Sequence, residues 1–238
     1  MKEKRMIISI GRECGCGAYE IGQKLAAYFG IKLYDRNILD LVAERMHQDP
    51  AKLAKLEERV AWHLLPVQQN GFGVETNEIL GKISKYDQLY LQEKSLIKQL
   101  AAKESFVIIG RAANAILSDD PNTLRVFVYA SDSFKLPRVK AQYHLDSDQK
   151  AFRKMRQVDK VRREYFEYYS HLTWGSGDAH DFMIDSSVFG INGTVQTIIS
   201  MADRKFSQKP AVPDEGVQPE AVPAEDRLWQ PAIQPASL

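Results

Sequence analysis

The sequence predicts an α/β protein whose strands form a parallel sheet. Five short apolar runs are rich in β-branched or aromatic residues, and helical patterns lie between them. Such continuous runs are typical of strands that are covered on both faces. The chain has 238 residues, of which 44% are hydrophobic, and this is enough to bury a full core. The predicted strands are 6–10, 31–34, 106–109, 124–129 and 182–184.

The first predicted strand runs into a glycine-rich segment, which reads ISIGRECGCGAYEIG over residues 8–22. A strand, closely spaced glycines and a helix gather backbone N–H groups at the positive end of the helix dipole, which favours phosphate binding. The complete phosphate-loop motif adds a lysine and a hydroxyl for Mg²⁺. Here the lysine position is Ala18, and the hydroxyl position is Glu20 or Tyr19. Alternatively, the glycines form only a tight turn without a ligand.

The helix after this loop is predicted from apolar residues at helical spacing. Ile21, Leu25, Ala26 and Phe29 share one face, and Gly30 is a natural helix end. The second predicted strand follows directly.

About seventy residues, mostly of helical pattern, separate the second strand from the third. Asp35 is predicted to cap one helix and Pro50 to open another. A long helix is predicted over residues 77–103. Because this length exceeds an ordinary crossover, we expect an inserted helical lobe over residues 36–104 that covers a substrate.

A dense run of positive charge lies in the later part of the chain. Residues 150–163 hold seven cationic residues, and four of these form one stripe of a predicted helix: Arg153, Arg156, Lys160 and Arg163. Charges at this density repel one another unless an anion or acidic neighbours offset them, and a triphosphate is a natural partner. The alternative is a basic face that contacts only solvent. The aromatic residues over 165–169 are predicted to pack in the core.

Residues 207–238 differ in composition from the rest of the chain. They hold six of the ten prolines, five acidic residues and two basic ones. We therefore expect a disordered, proline-rich acidic tail. Leu228 and Trp229 form a candidate docking motif for a protein partner, and the alternative is a solvated terminus.

The composition also argues against several classes of protein. The net charge is +1, or about +4 without the tail, so no nucleic-acid partner is predicted. No apolar run approaches the roughly 20 residues that cross a bilayer, so we expect no membrane partner and a cytoplasmic location. Cys14 and Cys16 are too close for a useful disulfide and too few for a zinc site. Their position near Arg12 could lower their pKa values, but we interpret them as small residues in a crowded loop.

Several segments, taken in order, resemble one known family. They are GRECGCGAYEIG and LYDRNIL near the start, FVIIGRAANAIL over 106–117, LRVFVYA over 124–130, VDKVRREY over 158–165 and DFMIDS over 181–186. Together they closely resemble the cytidylate kinase-like family, a branch of the P-loop nucleoside monophosphate kinases, over roughly residues 6–205. The resemblance implies a three-layer P-loop NTPase-like fold, in which a five-stranded parallel sheet has helices on both faces. It also implies a helical lobe that receives the nucleoside monophosphate and a basic lid, over 146–164, that closes over ATP.

The resemblance further implies roles for individual residues. In cytidylate kinases a Gly-Arg-Asp after the third strand supplies an arginine to the acceptor phosphate, and this chain has Gly-Arg-Ala with Arg111. The arginine is kept and the acid is lost. An Asp-x-x-Arg pattern, which the family uses around cytosine and phosphate, matches Asp159 and Arg162. Asp35 and Arg36 stand where those kinases present a hydroxyl residue to the nucleoside.

The leading hypothesis is transfer of a phosphoryl group from ATP to a nucleoside monophosphate, with CMP or dCMP favoured. Arg111 and Arg162 would hold the acceptor phosphate, while the lid residues Arg153 and Arg156 would meet the developing charge. Glu20 would hold Mg²⁺. The ATP phosphates would contact the loop residues Gly11, Arg12, Glu13, Cys14, Gly15, Cys16, Gly17, Ala18 and Tyr19.

Two alternatives stay open at this point. The missing lysine and the missing acid after Arg111 favour a nucleotide-binding protein without turnover, because loss of one such cation costs about 10³-fold in rate. The second alternative is a kinase that phosphorylates a different small phosphate acceptor.

Overall fold

The described residues form a five-stranded, all-parallel sheet with the strand order β2-β3-β1-β4-β5. The computed structural model describes residues 5–35, 37–53 and 84–207. The strands are β1 (Ile7–Arg12), β2 (Lys32–Tyr34), β3 (Phe106–Ile109), β4 (Thr123–Tyr129) and β5 (Phe182–Asp185). All five predicted strands are confirmed, and their ends differ from the prediction by two residues at most.

Helices connect and cover the strands. They are α1 (Ala18–Phe29), α2 (Asn37–Met46), α3 (Lys85–Lys103), α4 (Ala113–Ile116), α5 (Asp132–Tyr143), α6 (Asp148–Ser170) and α7 (Ser186–Phe206), and residues 50–53 are also helical. Gly30 ends α1 in a left-handed conformation, as predicted, and its N–H group donates to carbonyls of the last turn.

Two buried apolar clusters lie on opposite faces of the sheet. Phe106 and Ile108 belong to the cluster that packs against α2, α3 and α4, whereas Val107 and Ile109 belong to the cluster under α1 and α7. Successive strand residues point to opposite faces, so the continuous apolar run of β3 is buried on both sides. The predicted three-layer arrangement is therefore confirmed.

Two helix starts differ from the prediction. The hydroxyl of Ser84 accepts a hydrogen bond from the Asp87 N–H group at 3.0 Å, and Ser84 itself is extended. This cap starts α3 at Lys85 and not at residue 77. Similarly, α2 begins at Asn37, two residues after the predicted cap at Asp35. The described residues exclude Arg36, residues 54–83 and residues 208–238. The second of these parts includes most of the helix predicted from Pro50, and the third includes the tail motif.

The segment 146–164 lies almost wholly in α6, which Ser147 caps and which continues through the aromatic residues to Ser170. Phe166 is buried, and the rings of Tyr169 and Tyr90 stack with centroids 3.9 Å apart. The prediction that these aromatic residues pack in the core is confirmed for Tyr165, Phe166 and Tyr169, but it is wrong for Tyr168, whose side chain is exposed. No helix of the described ranges is long and apolar enough to span a membrane.

Candidate functional site

A large open cavity lies at the carboxyl ends of β1 and β3. Its volume is about 1610 Å³, and its walls are the glycine-rich loop, the residues that follow β2 and β3, and parts of α2, α5 and α6. Ligands of parallel α/β sheets bind outside the carboxyl ends of the strands, where connections leave to opposite sides. The strand β1, between β3 and β4, lies at such a point. We therefore take this cavity as the candidate site.

The loop between β1 and α1 is held from two sides. The Glu13 N–H group donates to the Val128 carbonyl at 3.0 Å, and the Cys14 N–H group donates to Oδ1 of Asp159 at 2.7 Å. In the described parts of the chain, no acceptor is paired with the N–H groups of residues 15–17. These three donors are the ones that a phosphate on the loop would meet.

Gly15 and Gly17 are both required by the local structure. Their φ angles are +81° and +83°, a region that residues with a side chain rarely adopt. A Cβ atom at Gly15 would lie 2.7 Å from Cγ2 of Val139, and one at Gly17 would lie 2.3 Å from Cδ1 of Ile191. The tight turn and the phosphate site are thus compatible, and the glycines alone do not decide between them.

The first two residues of α1 differ in exposure. Ala18 is buried against the apolar cluster under α1 and α7, while the ring of Tyr19 is largely exposed. A longer side chain at position 18 would therefore start among core residues.

Arg111 has a buried carboxylate partner that sequence reasoning missed. Its Nη1 atom lies 3.0 Å from Oε1 of Glu93, with side-chain exposures of 7% and 2%. The Tyr165 hydroxyl donates to the other Glu93 oxygen at 2.9 Å. Burial, reinforced by Glu93, raises the pKa of Tyr165 well above its ordinary value, so the phenol is a neutral donor. The acid that Ala112 lacks is supplied from α3.

The structure brings Asp159 and Arg162 close to the loop. Oδ1 of Asp159, which accepts from Cys14, also lies 3.7 Å from Nη1 of Arg162. That Nη1 atom is buried and has no hydrogen-bond partner among the described residues. Burial raises the pKa of Asp159, and Arg162 partly offsets this. Asp159 therefore ties α6 to the loop, and Arg162 lines the cavity.

Arg12 completes a group of three guanidinium groups. Burial, together with the charges of Arg162 and Arg111, lowers its pKa to about 9, and Asp35 opposes the effect. All four residues line the cavity. We call Arg12, Arg111 and Arg162 the arginine cluster. Three cations that repel one another in a partly buried site favour a bound anion, and the fork of each guanidinium suits phosphate oxygens.

Arg153 and Arg156 lie apart from these residues. Both are on the exposed face of α6, where Arg156 stacks over the ring of Phe152, and neither lines the cavity in this conformation. The neighbouring Lys154 does line it.

Glu20 faces cations of its own. Its oxygens lie 2.9 Å from Nη2 of Arg138 and 3.7 Å from Nζ of Lys24. Within the described ranges, no group of three or more ligating side chains could hold a metal ion. A carboxylate with substrate phosphates is an ordinary Mg²⁺ environment, often completed by water. Because both oxygens of Glu20 already face cations, this carboxylate would hold Mg²⁺ indirectly, through a water molecule.

Two cations of α5 lie beside the loop and were also missed. Nζ of Lys135 is 2.8 Å from Oε2 of Glu13 and 3.1 Å from Oδ1 of Asp132. Arg138, one turn further, approaches the position of a Cβ at Gly17 to within 3.3 Å. The sequence feature that could have indicated them is a pair of cations three residues apart near the start of α5. This helix follows β4, which lies next to β1 in the sheet.

The two cysteines are free and buried. Burial raises the pKa of Cys14 and raises that of Cys16 to about 11. Both cysteines therefore fit as small residues in a crowded loop, and burial raises their pKa values instead of lowering them.

Comparison with known proteins agrees with this architecture. The cytidylate kinase-like family matches residues 7–188. Among solved structures, an uncharacterised protein from Eubacterium ventriosum is 27% identical with a TM-score of 0.63, and the match covers 84% of this chain and 99% of that one. A shikimate kinase from Bacteroides thetaiotaomicron is 12% identical with a TM-score of 0.48, covering 83% and 98% of the two chains. A gluconokinase from Sinorhizobium meliloti has the same identity and TM-score, covering 88% and 100%.

No curated protein matches the chain significantly. The family match is nevertheless decisive for classification, because it extends over far more than half of the chain. It begins in β1 and ends in α7, and it includes the loop and all three members of the arginine cluster. The chain therefore belongs to the cytidylate kinase-like family.

Proposed function

We propose that this protein transfers a phosphoryl group from ATP to a nucleoside monophosphate, with CMP or dCMP as the favoured acceptor. Membership of a kinase-like family supports phosphoryl transfer and nucleotide use in general. The observation that carries the proposal is that the loop and the arginine cluster line the same cavity. A triphosphate on the loop and a monophosphate on the cluster would meet there.

The proposed roles follow from charge and geometry. The N–H groups of residues 15–17 bind phosphates of ATP, while Arg111, which Glu93 holds, and Arg162 bind the acceptor phosphate. Glu20 would hold Mg²⁺, which would neutralise part of the phosphate charge. An acceptor phosphate oxygen forms a bond to the γ-phosphorus, and the bond from that phosphorus to the β-phosphate oxygen breaks. The products are ADP and a nucleoside diphosphate.

The preference for cytidine rests on Asp159 and Arg162, which match the family's pattern. Asp35, in the wall near the arginine cluster, is proposed to contact the nucleoside together with Arg36. We further propose that the lobe 36–104 covers the acceptor. The segment 146–164 is proposed to act as a lid, whose movement would bring Arg153 and Arg156 toward the ATP phosphates.

The wider setting is proposed from the sequence. We propose a cytoplasmic protein that has nucleotides as its substrates and no nucleic acid as a partner. For the tail over 207–238 a solvated terminus is the favoured interpretation, and Leu228 and Trp229 are the candidate motif for a protein partner.

A second candidate is a nucleotide-binding protein without turnover. It is favoured by the absence of a lysine at Ala18 and by the carboxylate of Asp159, which occupies the Cys14 N–H group. In this case ATP would displace the carboxylate, and no acceptor would be consumed.

The test is incubation of the purified protein with ATP, Mg²⁺ and a panel of monophosphates, followed by separation of the products. Formation of CDP or dCDP in preference to the other diphosphates is the expected result. Diphosphates of another base, or phosphorylation of a different small phosphate acceptor, would overturn the cytidine preference. Calorimetric binding of ATP with no product from any acceptor would establish the second candidate. Arg111→Ala serves as a matched variant, because it should abolish turnover and leave ATP binding intact.

A further inference from the structure

Arg12 leaves the loop and crosses the chain that follows β3. Its backbone pairs with Val128 at the end of β4, but its guanidinium lies against Gly110. A Cβ atom at Gly110 would lie 1.9 Å from Nη1 and 2.7 Å from Cζ of Arg12. Gly110 also has a φ of +77°. The positive φ favours glycine before Arg111, and the absence of a side chain there leaves room for the Arg12 guanidinium.

This path places Arg12 on the cavity wall that it shares with the loop and with Arg111 and Arg162, beside the glycine that precedes Arg111. Its charge interacts unfavourably with Arg111 and Arg162 and favourably with Asp35. A phosphate on the loop and a phosphate on Arg111 and Arg162 would both come near this guanidinium. That Arg12 is adjacent to the loop in the sequence does not by itself indicate where its guanidinium lies.

Arg12 also has spare hydrogen-bonding capacity. Glu93 is paired with Arg111, while Glu20 is paired with Arg138. Among the described residues, no carboxylate forms an ion pair with Arg12 and no acceptor bonds its five N–H donors. Burial of a cation beside like charges is unfavourable without an anion. A guanidinium in this environment contributes little to the stability of the ligand-free protein, but it strongly stabilises a bound phosphate.

We propose that Arg12 is a catalytic residue that replaces the missing phosphate-loop lysine, by contacting the phosphoryl group as it passes from the ATP phosphates on the loop to the acceptor phosphate on Arg111 and Arg162. This inference rests on the proposed function. The γ-phosphorus loses its bond to the β-phosphate oxygen and gains one to the acceptor phosphate oxygen. Arg12 donates hydrogen bonds to the equatorial oxygens throughout, and no proton leaves it.

The test compares Arg12→Met, which keeps the length and removes the charge, with Arg12→Lys. Arg45→Met is the control, since Arg45 lies on the exposed face of α2. The melting temperature without ligand, pyrophosphate binding by calorimetry and kcat are measured for each. For Arg12→Met we expect an unchanged or raised melting temperature, at least 10-fold weaker pyrophosphate binding and about 10³-fold lower kcat. Arg12→Lys should fall between this variant and the wild type.

The outcomes separate the inference from the proposed function. Pyrophosphate binding that depends on Arg12, in a protein that phosphorylates no monophosphate, would support the anion contact and refute the kinase. Wild-type turnover together with unchanged kcat in Arg12→Met would refute the role of Arg12 and leave the kinase standing. A lowered melting temperature with wild-type pyrophosphate affinity would show a structural role and overturn the inference. Should Arg12→Met not fold, a wild-type kcat in Arg12→Gln, which also removes the charge, would overturn it equally.

Discussion

Buried charge is compensated unevenly among the residues of the site. Arg111 has Glu93, and Lys135 has Glu13, whereas Arg12 has no ion pair within the described residues. Paired cations belong to the architecture of the folded protein, because removal of a partner leaves a buried charge. We propose that a ligand compensates the charge of Arg12, which has no such pair.

Glu93→Gln should destabilise the protein by about 3 kcal/mol, because it removes the carboxylate charge beside the buried guanidinium of Arg111. Urea denaturation measures this loss. The KM for the acceptor should also rise, since Arg111 would lose its orientation.

Glu104→Gln is the matched control for that variant. Glu104 also pairs with a cation and a tyrosine, Lys32 and Tyr34, but its side chain is 27% exposed and that of Lys32 is 65% exposed. We expect a loss below about 1 kcal/mol. Equal losses in the two variants would contradict the importance of the buried pair.

His180 provides a pH-dependent contribution to stability. Burial lowers its pKa to about 4, and its Nδ1 atom lies 2.5 Å from Nδ2 of Asn114. Because Nδ2 also donates to the Val126 carbonyl, Nδ1 acts as the acceptor and the imidazole is neutral in the folded state.

The free energy of unfolding should therefore fall as the pH is lowered from 6.5 to about 4. In this window the unfolded chain binds a proton at His180 and the folded protein does not, and the difference corresponds to at most about 3 kcal/mol. His180→Phe should flatten this part of the profile measured by denaturation at several pH values. His144→Asn, at an exposed helix end, should keep it. An unchanged profile in His180→Phe would refute the assignment.

At the scale of elements, the loop depends on close packing between β1, α5 and α7. Gly15 and Gly30 both have positive φ angles, but only Gly15 is crowded, while no atom lies within 4 Å of a Cβ at Gly30. The two positions thus separate backbone strain from packing.

Gly30→Ala should cost about 1 kcal/mol, from the left-handed conformation alone. Gly15→Ala should cost about 3 kcal/mol, since its Cβ would also push against Val139 and the carbonyl of Lys135. Denaturation midpoints with unchanged slopes would report both values. Equal costs would mean that the loop is not packed as described.

The elements show which parts of the fold were predictable. The apolar run of β3 gave its bounds without error, because a strand buried on both faces has no polar interruption. The start of α3 was missed because apolar periodicity continued upstream of the Ser84 cap. In α6, the buried residues Ala151 and Met155 mark the inner face. The cationic stripe on the other face therefore meets solvent.

The candidate site was only partly predictable. The motifs indicated the loop, Arg111, Asp159 and Arg162, but the direction of Arg12 depends on Gly110, almost 100 residues away. Glu93 could have been found. It lies between Leu89 and Ile97 on the apolar stripe of α3, where an acid is expected only if it is paired.

At the scale of the whole molecule, the carboxyl end of the sheet brings together groups that are distant in sequence. The loop follows β1, Arg111 follows β3, and the cations of α5 follow β4. Arg162 of α6 lines the same cavity at this end of the sheet. The parallel topology places all of these carboxyl ends at one side. We propose that nucleotide binding without the usual lysine depends on all of these groups and not on the loop alone.

The most direct measurement is a calorimetric titration of the wild-type protein with ATP and ADP in the presence of Mg²⁺, extended to millimolar nucleotide. Saturable binding with one nucleotide per chain is the predicted result. A complete lack of binding by every nucleoside di- and triphosphate, in a sample shown to be folded, would contradict the central claim that loop N–H groups and arginines together hold a polyphosphate.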